Sequence, residues 1–303
     1  MRDVNSILAI VLTLALAPKM APAQPLGQQT NRPDGSTGPR LFLKYAGDPK
    51  MRLFGIAIGS DRSLYAVGGD SAAVGVDGYV SKVSIAGKEE RIVAFKSSFV
   101  GPGIDLDAQG NLFLAGGDRI FRIAADGGVE VLASGFRGAF DLKLDPKGNL
   151  YIADHREGKI YRIAHSREET VLVDYHLSPG EFILGGLAFD QNYSHLYAYE
   201  AAKRTLWRYP MNAGGTVGAP ELVAASAPPI FSFAVDEEGN IFGADFDMGE
   251  VVKIDSHGKV TYVTEHCGLK HPIGFRLGNA SFFPGTAFVA DDEGIKQVNL
   301  TER

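Results

Sequence analysis

Three acidic residues and one histidine in this chain have types and positions that could support chemistry. Asp141 and Asp105 lie at the start of two neighbouring apolar segments, and Asp154 ends the segment that follows Asp141. Carboxylate oxygens are the ligands that a hard divalent cation such as Ca2+ prefers, and a bound cation can polarise a carbonyl group for hydrolysis. His271 precedes another apolar segment, where an imidazole could act as a general base. The candidate catalytic groups are therefore Asp141, Asp105 and His271, and the candidate metal ligands are Asp141, Asp105 and Asp154.

The same acids have structural interpretations. Lys143 and Arg276 occupy comparable places on apolar segments, so ion pairs with Asp141 and Asp105 are an alternative to metal binding. A carboxylate at a strand end, as at Asp154, can instead accept the backbone N–H groups of the following turn.

The elements that must position these residues are six copies of one sequence phrase. Each copy has an alternating apolar strand, a tight polar turn and a second strand rich in Leu, Tyr and Phe. The copies recur at intervals of about 38 to 48 residues, which is the period of a four-stranded propeller blade. They start near Gly55, Gly103, Asp141, Gly186, Phe233 and Gly274.

The strand count predicts that the propeller is closed. Every copy continues into a third strand and five continue into a fourth, but the sixth copy ends at Arg303 without one. Residues 40–45 have the alternation of the missing strand, and pairing them into the last blade would remove two exposed sheet edges. We therefore expect an all-β, six-bladed β-propeller over residues 40–303, closed by an N-terminal strand that completes the last blade.

The composition and the N-terminal residues limit the possible classes of protein. The chain has 303 residues, is 45% hydrophobic and carries a formal net charge of -6, with no concentrated basic face for nucleic acid. It has no apolar run long enough to span a membrane. Residues 1–23 resemble a signal peptide cleaved before Gln24, and residues 24–39 resemble a flexible leader. We expect a secreted or periplasmic monomer whose lone Cys267 cannot form an intramolecular disulfide.

The residues Gly185-Gly-Leu-Ala-Phe-Asp190, then Leu196-Tyr197, then Leu206-Trp-Arg-Tyr209, carry a family resemblance. They are similar to the phrase Asn-Gly-Leu-Ala-Phe-Ser, then Leu-Tyr, then Ile-Trp-Arg-Tyr of the SMP-30/gluconolactonase/LRE family. The chain also resembles the NHL-repeat propellers. The resemblance covers roughly residues 40 to 300 and implies the propeller fold.

The resemblance also implies where a metal would bind. In lactonase-type members a divalent cation lies at the mouth of the central tunnel, held by Glu, Asn and Asp side chains at the starts of inner strands. The corresponding positions in this chain offer no such side chain, so we expect that the usual metal cage is not retained. These positions are Phe54, Pro102, Phe140, Gly185, Phe231 and Ile273.

A mainly apolar ring at the tunnel mouth would form a concave surface of the kind that binds ligands. The alternative is that its aromatic members fill the tunnel as core. The predicted ligand-binding residues are Phe54, Pro102, Phe140, Phe231, Ser232 and Ile273.

Two functions follow. The first is a secreted propeller that binds a small molecule or a protein at the tunnel mouth without the lactonase metal cage. The second is a lactonase or related hydrolase that uses Ca2+ or another divalent cation at a relocated site built on Asp141, Asp105 and Asp154.

Overall fold

The computed structural model describes residues 39–44, 51–70, 76–98, 100–176, 184–264, 267–280 and 282–300. The predicted signal peptide and nearly all of the predicted leader lie outside these residues. Strands and turns make up the described residues, with no helix among them and therefore none that could cross a membrane.

The strands, in chain order, are β1 (Arg40–Lys44), β2 (Met51–Ile58), β3 (Leu64–Asp70), β4 (Val76–Val83), β5 (Glu89–Ser97), β6 (Ile104–Leu106), β7 (Leu112–Ala115), β8 (Gly117–Ile123), β9 (Val129–Leu144), β10 (Leu150–Asp154), β11 (Lys159–Ile163), β12 (Glu169–Asp174), β13 (Leu184–Phe189), β14 (His195–Glu200), β15 (Thr205–Pro210), β16 (Glu221–Ala224), β17 (Phe233–Val235), β18 (Ile241–Asp245), β19 (Glu250–Ile254), β20 (Val260–Tyr262), β21 (Gly274–Asn279), β22 (Phe282–Asp291) and β23 (Gly294–Asn299).

These strands form antiparallel meanders arranged as a β-propeller. Strands β2 to β5, β13 to β16 and β17 to β20 form three four-stranded sheets. A fourth four-stranded sheet has the order β1-β23-β22-β21, and strands β6 to β12 form one seven-stranded sheet. The helix-free meander agrees with the repeated phrase of the sequence, in which each apolar strand is followed by a polar turn.

The seven-stranded sheet arises because β9 belongs to two meanders. Its first residues pair with β8, as in Val129 with Ile123, and its last residues pair with β10, as in Leu144 with Leu150. The repeat pattern predicts that a fourth strand ends one copy and that a new strand near Asp141 opens the next. The structure joins these two segments in a single strand of 16 residues.

The N-terminal strand β1 pairs with the last strand of the chain. Arg40 lies opposite Gln297 and Lys44 lies opposite Gly294 in an antiparallel register. The segment that the alternation pattern assigned to the last blade therefore lies on the edge of the sheet formed by β21 to β23.

The innermost strands contact one another around the propeller axis. Contacts join β2 to β6, β6 to β9, β9 to β13, β13 to β17, β17 to β21 and β21 back to β2. The strands approach so closely that a Cβ atom on Gly55 would lie 2.2 Å from the carbonyl oxygen of Pro102, and one on Gly186 would lie 2.7 Å from that of Phe231. Glycine at these positions allows one backbone to lie against the next.

The core lies mainly between neighbouring sheets. One apolar cluster joins Phe54 and Val67 of the first sheet to Ile104 and Leu114 of the next. Each sheet packs both of its faces against neighbouring sheets. Its strands near the axis are therefore apolar on both sides, and apolar and polar side chains alternate only toward the outer edge.

Candidate functional site

Asp141 lies on the inner part of β9 with no exposed surface. The Nζ atom of Lys143 lies 2.7 and 2.8 Å from its two carboxylate oxygens. The backbone N–H of Leu142 donates to Oδ1 at 2.8 Å, and the N–H of Leu187 on β13 donates to Oδ2 at 2.8 Å. The ion pair that the sequence offered as an alternative is therefore present, and it neutralises the Asp141 carboxylate.

Asp105 and Arg276 form a second and looser pair on the axis. Their side chains are partly exposed, and Nη2 of Arg276 lies 3.6 Å from Oδ1 of Asp105. Arg276 also donates to the carbonyl oxygens of Ile56 and Ile104, at 2.9 and 3.0 Å. Oδ2 of Asp105 accepts the backbone N–H of Leu144 at 2.9 Å. Both candidate acids are therefore engaged by cationic side chains of the chain itself.

The described residues do not fit the divalent cation that the resemblance implies. Both oxygens of Asp141 already face an ammonium group, and the six positions expected for metal ligands carry the apolar residues and glycine named above. Among the described residues, no three His, Cys, Asp or Glu side chains come together as a group that could hold a metal ion.

Asp154, the third candidate ligand, is buried, caps the turn that follows β10 and also binds the backbone of β9. Its Oδ2 accepts the N–H groups of Arg137 and Gly138, at 2.9 and 3.1 Å. Its Oδ1 accepts those of Arg156 and Glu157, both at 3.0 Å. This confirms the turn-capping interpretation for Asp154. The acids that end β18 and β22, Asp245 and Asp291, accept turn N–H groups in the same way.

The predicted ligand-binding residues lie in the core, on the innermost strands or just before them. Phe54, Pro102, Phe140, Phe231 and Ser232 are buried, and Ile273 is half-buried. Phe140 and Phe231 belong to one apolar cluster and Phe54 to another, with Ile273 packed against both. This placement matches the alternative in which the aromatic members fill the tunnel, and direct ligand binding by them stays a prediction.

An arc of five rings runs from His155 to His271. Phe140 lies between His155 and Phe231, with ring centroids 5.6 and 6.3 Å away. Phe246 lies between Phe231 and His271, at 5.3 and 5.2 Å. At one end, burial lowers the pKa of His155 to about 4, so this imidazole is neutral at physiological pH. The other end, His271, reaches solvent.

We call Arg52, His271 and Asp292 the mouth cluster. Nδ1 of His271 lies 2.7 Å from Oδ2 of Asp292, and Nη1 of Arg52 lies 2.9 Å from Oδ1 of the same carboxylate. The side chain of His271 is 49% exposed, and its φ of 47° is unusual for a residue other than glycine. Because Asp292 holds Nδ1, Nε2 is the ring nitrogen available to a ligand.

Sequence reasoning identified His271 but missed its two partners. These partners are Asp292, which follows β22, and Arg52 on β2. The contact between β2 and β22 brings them together. The signal that could have found them is the expected closure of the ring, which makes the first and last repeats neighbours.

A groove lies between the first two meanders, at the turns that follow β2 and β6. This groove has a volume of about 460 Å³ and is lined on one side by Leu106 and on the other by Asp61, Tyr65 and Lys82. Asp61 accepts the Tyr65 hydroxyl at 2.9 Å and pairs with Lys82 at 2.7 Å. Since successive turns of a meander alternate between its two ends, this groove opens on the face opposite the mouth cluster.

Comparison with known proteins agrees with the propeller architecture. A gluconolactonase from Xanthomonas campestris is similar over 93% of this chain and 98% of its own, with a TM-score of 0.67 and 17% identity. A structure of a nidogen/laminin complex matches 71% of this chain and 80% of the matched chain, with a TM-score of 0.59 and 21% identity. A protein described as an auxiliary nutrient binding protein, from Bacteroides thetaiotaomicron, matches 91% of this chain and 75% of its own, with a TM-score of 0.66 and 13% identity.

These likenesses define the fold class, an all-β propeller. The model of the SMP-30/gluconolactonase/LRE-like region matches residues 76–273, more than half of the chain. The chain belongs to this family, as the repeated phrase and the residues around Gly186 had indicated. No curated protein matches the chain at a significant level.

Proposed function

We propose that this chain is a secreted, six-bladed propeller that binds a small molecule at the tunnel mouth, without the metal chemistry of lactonases. The observation that carries the proposal is the contact of the Lys143 ammonium with both oxygens of Asp141. Asp141 directly follows Phe140, one of the six positions expected for metal ligands. A carboxylate already neutralised in this way is a poor ligand for a second cation.

The six-blade count is supported by the order of contacts around the axis. Counting β9 once as the outer strand of one blade and once as the inner strand of the next gives six meanders of four strands. The pairing of β1 with β23 supplies the fourth strand of the sixth. Contact between β21 and β2 supports closure.

The mouth cluster supports binding because it combines polar groups with an aromatic surface. The imidazole of His271 is fixed by Asp292, which Arg52 holds in turn, and its ring lies against Phe246. Polar groups held in place beside apolar surface are what small-molecule sites usually provide. The proposed ligand is therefore a small molecule with a hydrogen-bonding head and an apolar part. The same fold occurs in a protein described as nutrient binding, but fold likeness does not transfer a ligand.

The proposal is tested by thermal-shift screening of the mature chain against sugars, sugar acids and their lactones, followed by calorimetry. A ligand present at a hundredfold excess over its dissociation constant should stabilise the fold by roughly 2.7 kcal/mol. His271→Ala should abolish the shift. His257→Ala, in the exposed turn between β19 and β20, is the matched control and should leave it unchanged. Binding that survives both His271→Ala and Asp292→Asn would refute the mouth site.

The second candidate is a divalent-metal-dependent lactonase or hydrolase with a relocated site, and family membership favours it. It is tested by following the hydrolysis of the same lactones in CaCl2 and in EDTA. Metal-dependent turnover that is lost in Asp141→Ala, with the circular dichroism spectrum of the wild type retained, would replace the binding proposal. No turnover in either condition would rule out this candidate for those lactones.

A further inference from the structure

Four charged side chains occupy the propeller axis and balance one another. Asp141 and Lys143 are buried at its centre, and Asp105 and Arg276 lie beside them with partial exposure. Burial lowers the pKa of the Lys143 ammonium, and the nearby Asp141 carboxylate opposes that effect. Two acids and two bases leave the axis with no net formal charge.

The hydrogen bonds of the central pair are complete. Nζ of Lys143 has three protons and lies within 3.0 Å of three oxygens, two on Asp141 and one on the Leu142 carbonyl. Each oxygen of Asp141 receives one contact from Lys143 and one backbone N–H. A buried polar network is stabilising when its members are satisfied in this way, and costly when one of them is removed.

The network also connects the inner strands to one another. Asp141 on β9 accepts the N–H of Leu187 on β13, and Asp105 on β6 accepts the N–H of Leu144 on β9. Arg276 on β21 donates to carbonyl oxygens at Ile56 on β2 and Ile104 on β6. Five strands that come from different parts of the chain are therefore tied together by side chains on the axis.

We propose that the Lys143 ammonium is the resident cation of the central tunnel, so that an ion network built into the chain, rather than a divalent metal, ties the inner strands together. Calcium in a protein is held by six to eight oxygens. The ammonium needs only the three oxygens that β9 itself supplies. This role and the metal-free part of the proposed function rest on the same pair of Asp141 with Lys143. The role does not depend on ligand binding at the mouth, so failure of ligand binding can be told apart from failure of the ion network.

The first test uses the wild-type mature chain. Its melting temperature is measured after EDTA treatment and again in excess CaCl2. We expect the two values to agree to within about 1 °C, because a cation that does not bind the native state cannot stabilise it. A melting temperature that falls in EDTA and returns with CaCl2 would overturn the proposal. Loss of ligand binding at the mouth, with these values unchanged, would affect the proposed function only.

The second test removes the amine. Lys143→Met should lower the melting temperature by on the order of 10 °C, because it leaves an uncompensated buried carboxylate. The double variant D141N/K143M should recover a large part of the loss. Lys96→Met is the matched control, since Lys96 is 73% exposed and pairs with the exposed Asp77, and should change the value by no more than about 2 °C.

The variants decide the question even if one fails to fold. A folded double variant beside an unfolded Lys143→Met supports the proposal. A Lys143→Met protein with the wild-type melting temperature would overturn it. A double variant no more stable than the single variant would also overturn it, because the penalty would then not come from the unpaired carboxylate.

Discussion

Replacing Asp154 with Ala should destabilise the protein far more than removing an ordinary turn carboxylate. Asp154 has no exposed surface and accepts four backbone N–H groups. Two of these donors, in Arg137 and Gly138, belong to the irregular part of β9 where the strand passes from one meander to the next. The side chain therefore stabilises both the turn after β10 and the strand that joins two meanders.

The size of the loss in stability depends on whether water can replace Asp154 as the partner of each of the four N–H donors. A hydrogen bond to a charged group contributes about 1.5–3 kcal/mol, and a buried donor left without a partner carries its full desolvation cost. The N–H groups of Arg156 and Glu157 lie in a more exposed turn, where water can replace the carboxylate, whereas the bond to Gly138 is buried. We therefore expect a loss of about 3–5 kcal/mol in the free energy of unfolding.

Urea unfolding followed by circular dichroism measures this change. Asp126→Ala is the control, because Asp126 is exposed and accepts the N–H of Gly128 in the turn before β9. It should cost no more than about 0.5 kcal/mol. The reasoning is refuted if Asp154→Ala unfolds at the same urea concentration as this control.

Three further predictions concern buried groups. The folded pKa of His155 is about 4 and its unfolded value is near 6.5. The unfolded chain therefore takes up the proton first, and the free energy of unfolding falls as the pH drops from about 6.5 to about 4. His155→Phe should reduce the loss between pH 7.5 and 5 by about 2 kcal/mol in urea unfolding, and an unchanged loss would contradict it. Gly186→Val should prevent stable folding, since its Cβ would meet the Phe231 carbonyl oxygen, and a soluble variant with the wild-type melting temperature would disprove this close approach. Burial raises the pKa of the Cys267 thiol to about 11, so a thiol reagent at pH 8 should label it only in denaturant, and rapid labelling of the native protein would show that the thiol is accessible.

The sequence alone was sufficient to predict the strands whose side chains alternate and whose turns are short. Two examples are the third strands Lys159–Ile163 and Glu250–Ile254, in which a basic residue beside the last apolar one marks a strand with one exposed face. The pairing of Asp141 with Lys143 was also foreseeable, since residues two apart on a strand lie on the same face.

Other features depend on contacts that no local pattern contains. Gly135 and Gly138 suggest a turn, but β9 continues through them. Gly135 takes a φ of 104°, and Asp154 accepts the N–H of Gly138. The mouth cluster joins the first and last sheets, so the distance between Arg52 and Asp292 follows from the contact between β2 and β22 and not from their spacing in the chain.

The innermost strands also separate the two faces of the molecule by residue. Around the described axis, neighbouring backbones lie so near that a methyl group does not fit at Gly55 or Gly186. The mouth cluster and the groove beside Tyr65 lie at opposite ends of these strands, and the two sets of residues do not overlap. Each face can therefore acquire or lose a partner by substitutions that leave the residues of the other face unchanged.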